Sequence, residues 1–349
     1  MLNYIFVFIL SLFISLVLTP LVRKVAVRIG AVDLPNSRRI NKHPVRTIGG
    51  IAIYLGFSAG MLYSIPFNKL FPGIFLGGTF NLIVGIIDDL YEMSAHLKFF
   101  CQITAALIPI LFNIRIEFIT NPLSGGMIYL SYWGIPLTIL WIVSITNTVN
   151  LVDGLDGLAA GISAIAALTL FFVALQEGQI NAAVLSLALA GSALGFLKYN
   201  FHPAKIFMGD AGAMFCGYIL AVIAVSGALK SAATVTLVVP VLALGVPILD
   251  TIFAIIRRIY NGKPIGEADH GHIHHRLLAL GFSQRQAVLG VYVISIFLGI
   301  IALIINGSDF NIALILLGFV LTVLIYGAWK IGIFTVELPA EGTSLENKV

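Results

Sequence analysis

Residues 147–157 read N-T-V-N-L-V-D-G-L-D-G, and apolar sequence lies on both sides of them, at 135–145 and 158–174. Polar groups at the end of a membrane helix are costly unless they contact water, a metal ion or a ligand. The two amides and two carboxylates recur every three residues, so a helical segment would place all four on one face. They are Asn147, Asn150, Asp153 and Asp156. If spacing alone is considered, the alternative interpretation is a polar loop that contains helix caps.

Composition assigns the chain to the membrane. Of its 349 residues, 59% are hydrophobic and only 10% are charged, whereas about 25% of the residues in a soluble domain are charged. Together with a mean hydropathy of +1.02, this predicts an all-α polytopic membrane protein. The net charge of +4 is better explained by membrane topology and anionic ligands than by nucleic-acid binding.

About eleven apolar runs approach the roughly 20 residues that a membrane helix needs. They cover residues 2–22, 48–66, 70–87, 97–113, 132–149, 157–176, 180–197, 211–228, 233–256, 286–305 and 309–328. Residues 113–131 differ, because apolar and polar residues alternate around turn residues at 121–126, which predicts a short β-hairpin. We expect a single integral membrane domain at 1–330 and a polar cytoplasmic tail at 331–349.

Lysine and arginine orient these spans in the plasma (inner) membrane. Loops with odd numbers hold 15 of the 20 basic residues, whereas loops with even numbers hold only Lys69, Arg115 and Lys230. The positive-inside rule therefore places the N-terminus and the hairpin outside, and the odd-numbered loops in the cytoplasm.

Every unusual polar cluster then falls on the cytoplasmic side. The clusters are Asp88-Asp89 in the third loop, 147–157 in the fifth, Asn200 and Asp210 in the seventh, and His270, His272, His274 and His275 in the ninth. Structural polar residues would scatter over both sides of the membrane. Their convergence predicts one active site at the cytoplasmic face.

Four acidic residues allow both a structural and a functional interpretation. Adjacent carboxylates such as Asp88 and Asp89 repel each other and oppose the helix macrodipole, which favours a functional role. Asp210 opens a helix after a glycine, so it is either an N-cap or a ligand, and its polar neighbours favour the ligand. Asp250 lies inside the ninth span, where pairing with Arg257, cavity lining and catalysis are equal alternatives.

The ninth loop is too long for a simple connector and carries H-I-H-H-R at 272–276. Its histidines suggest zinc at first, but no cysteine is near, and carboxylates with amides favour Mg²⁺ or Mn²⁺. Histidines with Arg258, Lys263 and Arg276 also suit a diphosphate. We favour phosphate binding by this loop. The alternatives are a zinc site and a basic loop that binds no ligand. The whole set fits phosphoryl-group transfer assisted by a divalent ion at the membrane surface.

These motifs resemble those of the polyprenyl-phosphate N-acetylhexosamine-1-phosphate transferases. The resembling residues, in family order, are Asp88-Asp89 with Lys98, the 147–157 stretch, N-F-H-P-A-K-I-F-M-G-D-A-G at 200–212 and A-D-H-G-H-I-H-H-R-L at 268–277. The H-I-H-H motif is similar to the motif of the bacterial WecA/TagO branch of this family, whose members use UDP-GlcNAc. The relative that uses UDP-MurNAc-pentapeptide usually shows three consecutive histidines, which are absent here.

The resemblance implies Mg²⁺-dependent transfer of GlcNAc-1-phosphate from UDP-GlcNAc to undecaprenyl phosphate. UMP would be released, and undecaprenyl-diphosphate-GlcNAc would enter a cell-envelope glycan pathway. Asp210 would be the main metal ligand, with Asn150 beside it. The implied catalytic carboxylates are Asp88, Asp89, Asp153 and Asp156, with Asp88 as the candidate base. The implied substrate-binding residues are Lys42, Lys98, Asn147, Asn150, Asn200, Phe207, Arg258, His272, His274, His275 and Arg276.

Several alternatives stay open. The 42–50 stretch, K-H-P-V-R-T-I-G-G, only loosely resembles the family pattern, which leaves the roles of Lys42 and Arg46 undecided. The lipid phosphate attacks either the β-phosphate directly, which we favour, or a covalent aspartyl intermediate. A peptidoglycan transferase that uses UDP-MurNAc-pentapeptide is the runner-up, ahead of a CDP-alcohol phosphatidyltransferase and a transporter. The downstream glycan, the exact amino sugar, the lipid length and the oligomeric state, a homodimer included, are undetermined.

Overall fold

Apolar sequence of membrane length forms helices here, because a helix pairs its own backbone N–H and C=O groups where no water is available. The computed structural model of the protein describes residues 2–33, 45–66, 70–121, 126–227, 238–262, 264, 271–330 and 332. Within these ranges there are thirteen α-helices. They are α1 (Leu2–Arg28), α2 (Gly50–Ser64), α3 (Leu70–Tyr91), α4 (Ala95–Leu111), α5 (Gly134–Val152), α6 (Leu158–Gln176), α7 (Ile180–Asn200), α8 (Gly209–Ser226), α9 (Val238–Ala243), α10 (Gly245–Tyr260), α11 (Ile273–Ala279), α12 (Gln284–Asn306) and α13 (Phe310–Lys330).

Eight helical segments among the described residues are long and apolar enough to cross a membrane, so the polytopic prediction is confirmed. They are α1, α3, α5 with the 3-10 turn Ser131–Trp133 before it, α6, α7, α8, α12 and α13. The remaining predicted runs correspond to the shorter helices α2 and α4 and to the pair α9 and α10.

The ninth apolar run is not one helix. It breaks at Leu244, between α9 and α10. Pro247 has no N–H to donate to the carbonyl of Ala243, and its ring would clash with that carbonyl in a continuous helix. The proline therefore accounts for the break.

Several helices continue beyond the end of their apolar run. α3 extends to Tyr91 and α5 to Val152, so Asp88, Asp89 and Asn150 lie on helices rather than in loops as predicted. Apolar sequence ends where the hydrocarbon ends, whereas a helix can continue into the polar layer. The ends of α3 and α5 therefore carry rigid helical backbone into the polar layer.

Residues 147–157 do not form one helix, so the condition under which their two amides and two carboxylates would share one face is not met. Asn147 and Asn150 share a face of α5, but the helix ends at Val152 and Asp153 has non-helical torsion angles. The chain then turns, and Gly157 has a φ of +80° that favours glycine. The two carboxylates therefore project from a turn between α5 and α6.

The predicted hairpin is confirmed between α4 and α5. Strands β3 (Phe118–Thr120) and β4 (Met127–Tyr129) pair antiparallel, with Ile119 opposite Ile128. A second pair, β1 (Val32–Asp33) and β2 (Val45–Arg46), was not predicted. Some predictions concern positions outside the described residues, namely Lys42, Lys263, His270, the hairpin turn at 122–125 and the tail after 332.

Helix α8 forms the centre of the molecule. Every residue from Ala211 to Val225 is buried, and α2, α3, α5, α6 and α7 pack around it. Glycines let its neighbours approach: a Cβ on Gly85 of α3 would lie 2.6 Å from the carbonyl carbon of Asp210, and one on Gly50 of α2 would lie 2.7 Å from that of Ala211. The N-terminus of α8 is thus fixed from two sides.

We expect Gly85→Ala to lower the thermal stability of the detergent-solubilised protein, because its methyl group would meet α8 backbone that cannot rotate away. Overpacking of this kind costs about 1–3 kcal/mol. Gly290→Ala is the matched control, because Gly290 lies in α12 with nothing within 4 Å of its added Cβ. Equal melting temperatures for the two variants would contradict the close packing of α3 on α8.

Candidate active site

Lys98 joins four helices at the end of α8. Its Nζ lies 2.6 Å from Oδ2 of Asp88, 2.9 Å from Oδ1 of Asp210 and 3.0 Å from Oδ1 of Asn150. The amide of Asn150 also donates to Asp210. Ser94 caps α4 and places Lys98 in its first turn. The structure thus brings together residues that are up to 122 positions apart in the sequence, from Asp88 to Asp210.

The adjacent carboxylates Asp88 and Asp89 have different partners. Asp88 accepts a hydrogen bond from the Met93 N–H at 2.7 Å, in addition to its ion pair with Lys98. Asp89 accepts hydrogen bonds from the backbone N–H groups of Asp210 at 2.9 Å and Ala211 at 3.1 Å. Asp89 therefore caps α8 from another helix, whereas Asp88 faces the ammonium group.

This arrangement decides the role of Asp210 in its own helix. The N-cap position of α8 is Met208, without a side-chain cap, and Asp210 lies in the first turn. The N-cap alternative for Asp210 is wrong, because Asp89 supplies that function. A Cβ on Gly209, whose φ is +70°, would collide with the Asp89 carboxylate. The Asp210 carboxylate is left to contact Lys98 and Asn150.

Asn147 forms a reciprocal amide pair with Gln102, which joins α4 to α5. Gln102 donates to the Asn147 oxygen at 3.2 Å, and Asn147 donates to the Gln102 oxygen at 2.5 Å. The amide of Asn147 also donates to the Val143 carbonyl at 2.9 Å. Among the described contacts, Asn147 orients helices, and its predicted contact with substrate stays a prediction.

The loop after α7 is held by two buried polar side chains. Oδ2 of Asp156, which is 5% exposed, lies 2.7 Å from Nδ1 of His202 and accepts the Ala204 N–H at 3.0 Å. The amide of Asn200 donates to the Ile206 carbonyl at 3.0 Å. These contacts fix the segment that leads to Asp210.

The end of the first loop pairs with the same segment. Phe207 donates its N–H to the Arg46 carbonyl at 2.7 Å and accepts the Gly49 N–H at 2.9 Å, and Gly50 donates to the Met208 carbonyl at 2.9 Å. Phe207 itself is half-buried. The first loop therefore lies beside Phe207, one of the implied substrate-binding residues.

Asp153 has a different environment. Its side chain forms no hydrogen bond within the described part of the chain, and burial together with the nearby carboxylates of Asp210, Asp89 and Asp156 raises its pKa to about 8. Carboxylates at close range disfavour each other's charged forms, and a bound cation would reverse that effect. Asp153 thus lies at a buried position among several carboxylates.

The histidine motif reaches this turn through α11. A Cβ on Gly154 would lie 2.5 Å from Nε2 of His274, so only glycine allows the contact. Nδ1 of His272 lies 2.8 Å from Oδ2 of Asp250, and the His272 and His274 rings stack with centroids 5.7 Å apart. Burial and the neighbouring His275 lower the pKa of His274 to about 3, so that imidazole stays neutral.

The basic residues of the ninth loop differ in exposure. Arg276 is 1% exposed and donates to the main-chain carbonyls of Gly271, at 3.2 Å, and Gly332. Arg258 and His275 are half-buried, and the His275 ring lies 4.3 Å from that of His274. Arg276 therefore stabilises the loop, and its predicted contact with the diphosphate stays a prediction.

Sequence reasoning missed the three side-chain pairs that orient the site. They are Gln102–Asn147, His202–Asp156 and His272–Asp250. A polar residue inside an apolar helix, such as Gln102 or Asp250, was the available signal, because such a residue needs a partner. Its partner cannot be chosen from the sequence when several polar loops converge.

Oxygen donors dominate the space around Asp210. Within the described ranges, no group of three or more His, Cys, Asp and Glu side chains is placed to hold a metal ion. Mg²⁺ typically takes only one or two protein ligands and completes its shell with waters and substrate phosphates. The Asp210 carboxylate and the Asn150 amide oxygen both contact the Lys98 ammonium. These two oxygen donors fit such an open site.

We expect Asp153→Asn to raise the melting temperature of the metal-free protein, and to raise it more at pH 8 than at pH 5. In the folded wild type the pKa of Asp153 is about 8, against an ordinary value of 3.8 for an aspartate. Unfolding releases that proton between these values, so wild-type stability falls as pH rises through the window. Thermal unfolding in detergent with EDTA measures this, with the exposed Asp309→Asn as control. A gain that does not depend on pH would contradict the assignment.

Sequence comparison identifies known proteins to which this chain is similar. Residues 71–228 match the family model described as glycosyl transferase family 4. A probable undecaprenyl-phosphate N-acetylglucosaminyl 1-phosphate transferase of Bacillus subtilis is 41% identical over 91% of this chain and 89% of its own length. A decaprenyl-phosphate N-acetylglucosaminephosphotransferase of Mycolicibacterium smegmatis is 37% identical over 80% and 76%.

A more distant relative covers a similar share of the chain. The undecaprenyl-phosphate alpha-N-acetylglucosaminyl 1-phosphate transferase of Escherichia coli K12 is 27% identical over 89% of this chain and 88% of its own length. Identity above 30% across most of both chains establishes common descent with the first two relatives. The chain therefore belongs to glycosyl transferase family 4, among the polyprenyl-phosphate N-acetylglucosamine-1-phosphate transferases.

Proposed function

We propose that the protein transfers GlcNAc-1-phosphate from UDP-GlcNAc to undecaprenyl phosphate and releases UMP. The observation that carries the proposal is the convergence of Asp88, Lys98, Asn150 and Asp210 at one end of the buried helix α8. That end holds both acidic and basic groups, as phosphoryl transfer requires. The names of the relatives supply the identity of the donor and of the lipid.

The proposal includes eleven membrane crossings, with α9 and α10 forming one broken crossing. It places the N-terminus outside, the β3–β4 hairpin on the outer side and the active site on the cytoplasmic face of the plasma membrane. The positive-inside distribution of basic residues supports this orientation. A soluble donor and a lipid-anchored acceptor meet at such a surface. We treat 1–330 as one domain and 331–349 as its cytoplasmic tail.

In this proposal Asp210 and Asn150 hold Mg²⁺, for which Mn²⁺ could substitute. The metal ion supplies neutralisation of the charge that develops on the diphosphate oxygens. Lys98 lies between Asp88 and Asp210 and is placed to hold a phosphate group as a point charge. Asp153 and Asp156 line the same turn, where Asp153 orients the donor and Asp156 fixes the neighbouring loop through His202.

The reaction requires an oxygen of the lipid phosphate to attack the β-phosphate of the donor. A phosphate monoester has its second pKa near 6, so the acceptor is mostly dianionic at neutral pH and needs little help from a base. Asp88 contacts the Lys98 ammonium and the Met93 N–H. Asp88 can therefore orient the Lys98 ammonium towards the incoming phosphate. Direct attack is therefore the preferred route.

Recognition of the donor involves the first and ninth loops. Phe207 would lie near the uracil, and Arg258, His272, His275 and Arg276 would surround the sugar diphosphate. Lys42 belongs to this proposed set but lies outside the described residues. Because His274 is neutral, it would contribute a hydrogen bond rather than a charge.

We expect the purified protein to release UMP from UDP-GlcNAc only when undecaprenyl phosphate and Mg²⁺ are both present. Asp210→Asn should lower kcat by about 10²-fold or more, because a charge aimed at the diphosphate is lost. The exposed Asp309→Asn is its control. A panel that includes UDP-GalNAc and UDP-MurNAc-pentapeptide measures donor choice, and turnover of another donor in preference to UDP-GlcNAc would refute the assignment.

We also expect no covalent intermediate. Intact-protein mass spectrometry after incubation with UDP-GlcNAc and Mg²⁺, without lipid, should show no added phosphosugar, because the acceptor itself is the nucleophile. Product formation after addition of undecaprenyl phosphate is the positive control. A phosphosugar adduct on Asp88 or Asp89 would establish the two-step route instead.

A further inference from the structure

Asp250 has no role in the chemistry described so far, although it lies within α10 and is only 3% exposed. Both of its carboxylate oxygens bind groups outside its own helix. Oδ2 lies 2.8 Å from Nδ1 of His272, and Oδ1 accepts the N–H of Ile273 at 2.8 Å. A buried carboxylate is retained in a protein when its oxygens are paired in this way.

One oxygen holds the beginning of α11. The first N–H groups of a helix have no partner within it, and the N-cap residue of α11, His272, provides no side-chain cap. Asp250 accepts the first of these N–H groups from Ile273. The carboxylate therefore attaches α11 to α10, and a negative charge at a helix N-terminus is also favourable for the macrodipole.

The other oxygen fixes the ring of His272. With Nδ1–H donated to a carboxylate, Nε2 is left as the nitrogen that can contact a ligand. The ring is 6% exposed and stacks within 4° of the plane of His274. His274 in turn contacts the 147–157 turn at Gly154. The orientation of His272 is thus determined on two sides.

We propose that Asp250 is a positioning residue, which seats α11 and directs Nε2 of His272, as a hydrogen-bond acceptor, at a hydroxyl or amide N–H group of the nucleotide sugar. The inference rests on the proposed function and deepens it. It chooses among the alternatives that the sequence left for Asp250: the carboxylate pairs with His272 and the Ile273 N–H, and it acts on substrate through His272.

A double-mutant cycle tests this role. Asp250→Asn keeps an oxygen for the Ile273 N–H but presents an amide to Nδ1 of His272, which forces the proton to Nε2 and turns that nitrogen from an acceptor into a donor. We expect a loss of about tenfold or more in kcat/KM for UDP-GlcNAc, mainly through KM, with the melting temperature retained. In a His272→Ala background the same substitution should change kcat/KM by less than about twofold, because its target is absent.

Two outcomes would overturn the proposal. An equal loss with and without His272 would show that Asp250 acts on another group, and a stable Asp250→Asn protein with unchanged kinetics would show that it positions nothing. Thr251→Val, at the next residue of α10, is the control for general perturbation of the helix. If Asp250→Asn does not fold, Asp250→Glu keeps the charge with a displaced carboxylate, and unchanged kinetics there would equally refute the role.

A readout independent of turnover separates this inference from the proposed function. Hydrogen exchange measured by mass spectrometry should be faster at Ile273–Ala279 in Asp250→Ala than in wild type, and unchanged in Asp250→Asn. Absence of wild-type turnover would refute the proposed function alone. Unchanged exchange in Asp250→Ala would refute the seating of α11, whatever the substrate is.

Discussion

Buried carboxylates that bind backbone N–H groups of neighbouring segments hold this site together. Asp89 on α3 caps α8, Asp156 holds the loop before α8, and Asp250 on α10 caps α11. A carboxylate removed from water must be paired, and an N–H at a helix start needs an acceptor. Each contact meets both needs at once, so loops distant in sequence are fixed without a disulfide.

Glycine makes these contacts possible by removing side chains where backbones meet. Gly50 and Gly85 bring α2 and α3 against the start of α8, and Gly154 brings the 147–157 turn against His274. The charged groups then occupy a small volume around Lys98 and Asp210. Close backbone packing therefore brings the charged groups together, and the Lys98 ammonium between Asp88 and Asp210 offsets the repulsion between their carboxylates.

The sequence predicted the membrane helices, the hairpin and the identity of the polar clusters, because these depend on hydrophobic length, alternation and charge distribution. It did not predict the break at Leu244, which depends on a proline three residues later, or the end of α5 before Asp153. Nor did it separate Asp88 from Asp89. Neighbouring residues on a helix point about 100° apart, so their partners depend on how α3 packs against α4 and α8, which is a tertiary property.

The bond from Arg276 to the Gly332 carbonyl connects the chain beyond α13 with the histidine helix. Gly332 lies only two residues after the last residue of α13. A shortened protein that ends at Lys330 would lose this acceptor for a guanidinium that is 1% exposed. Truncated versions for biochemical work should therefore retain Gly332.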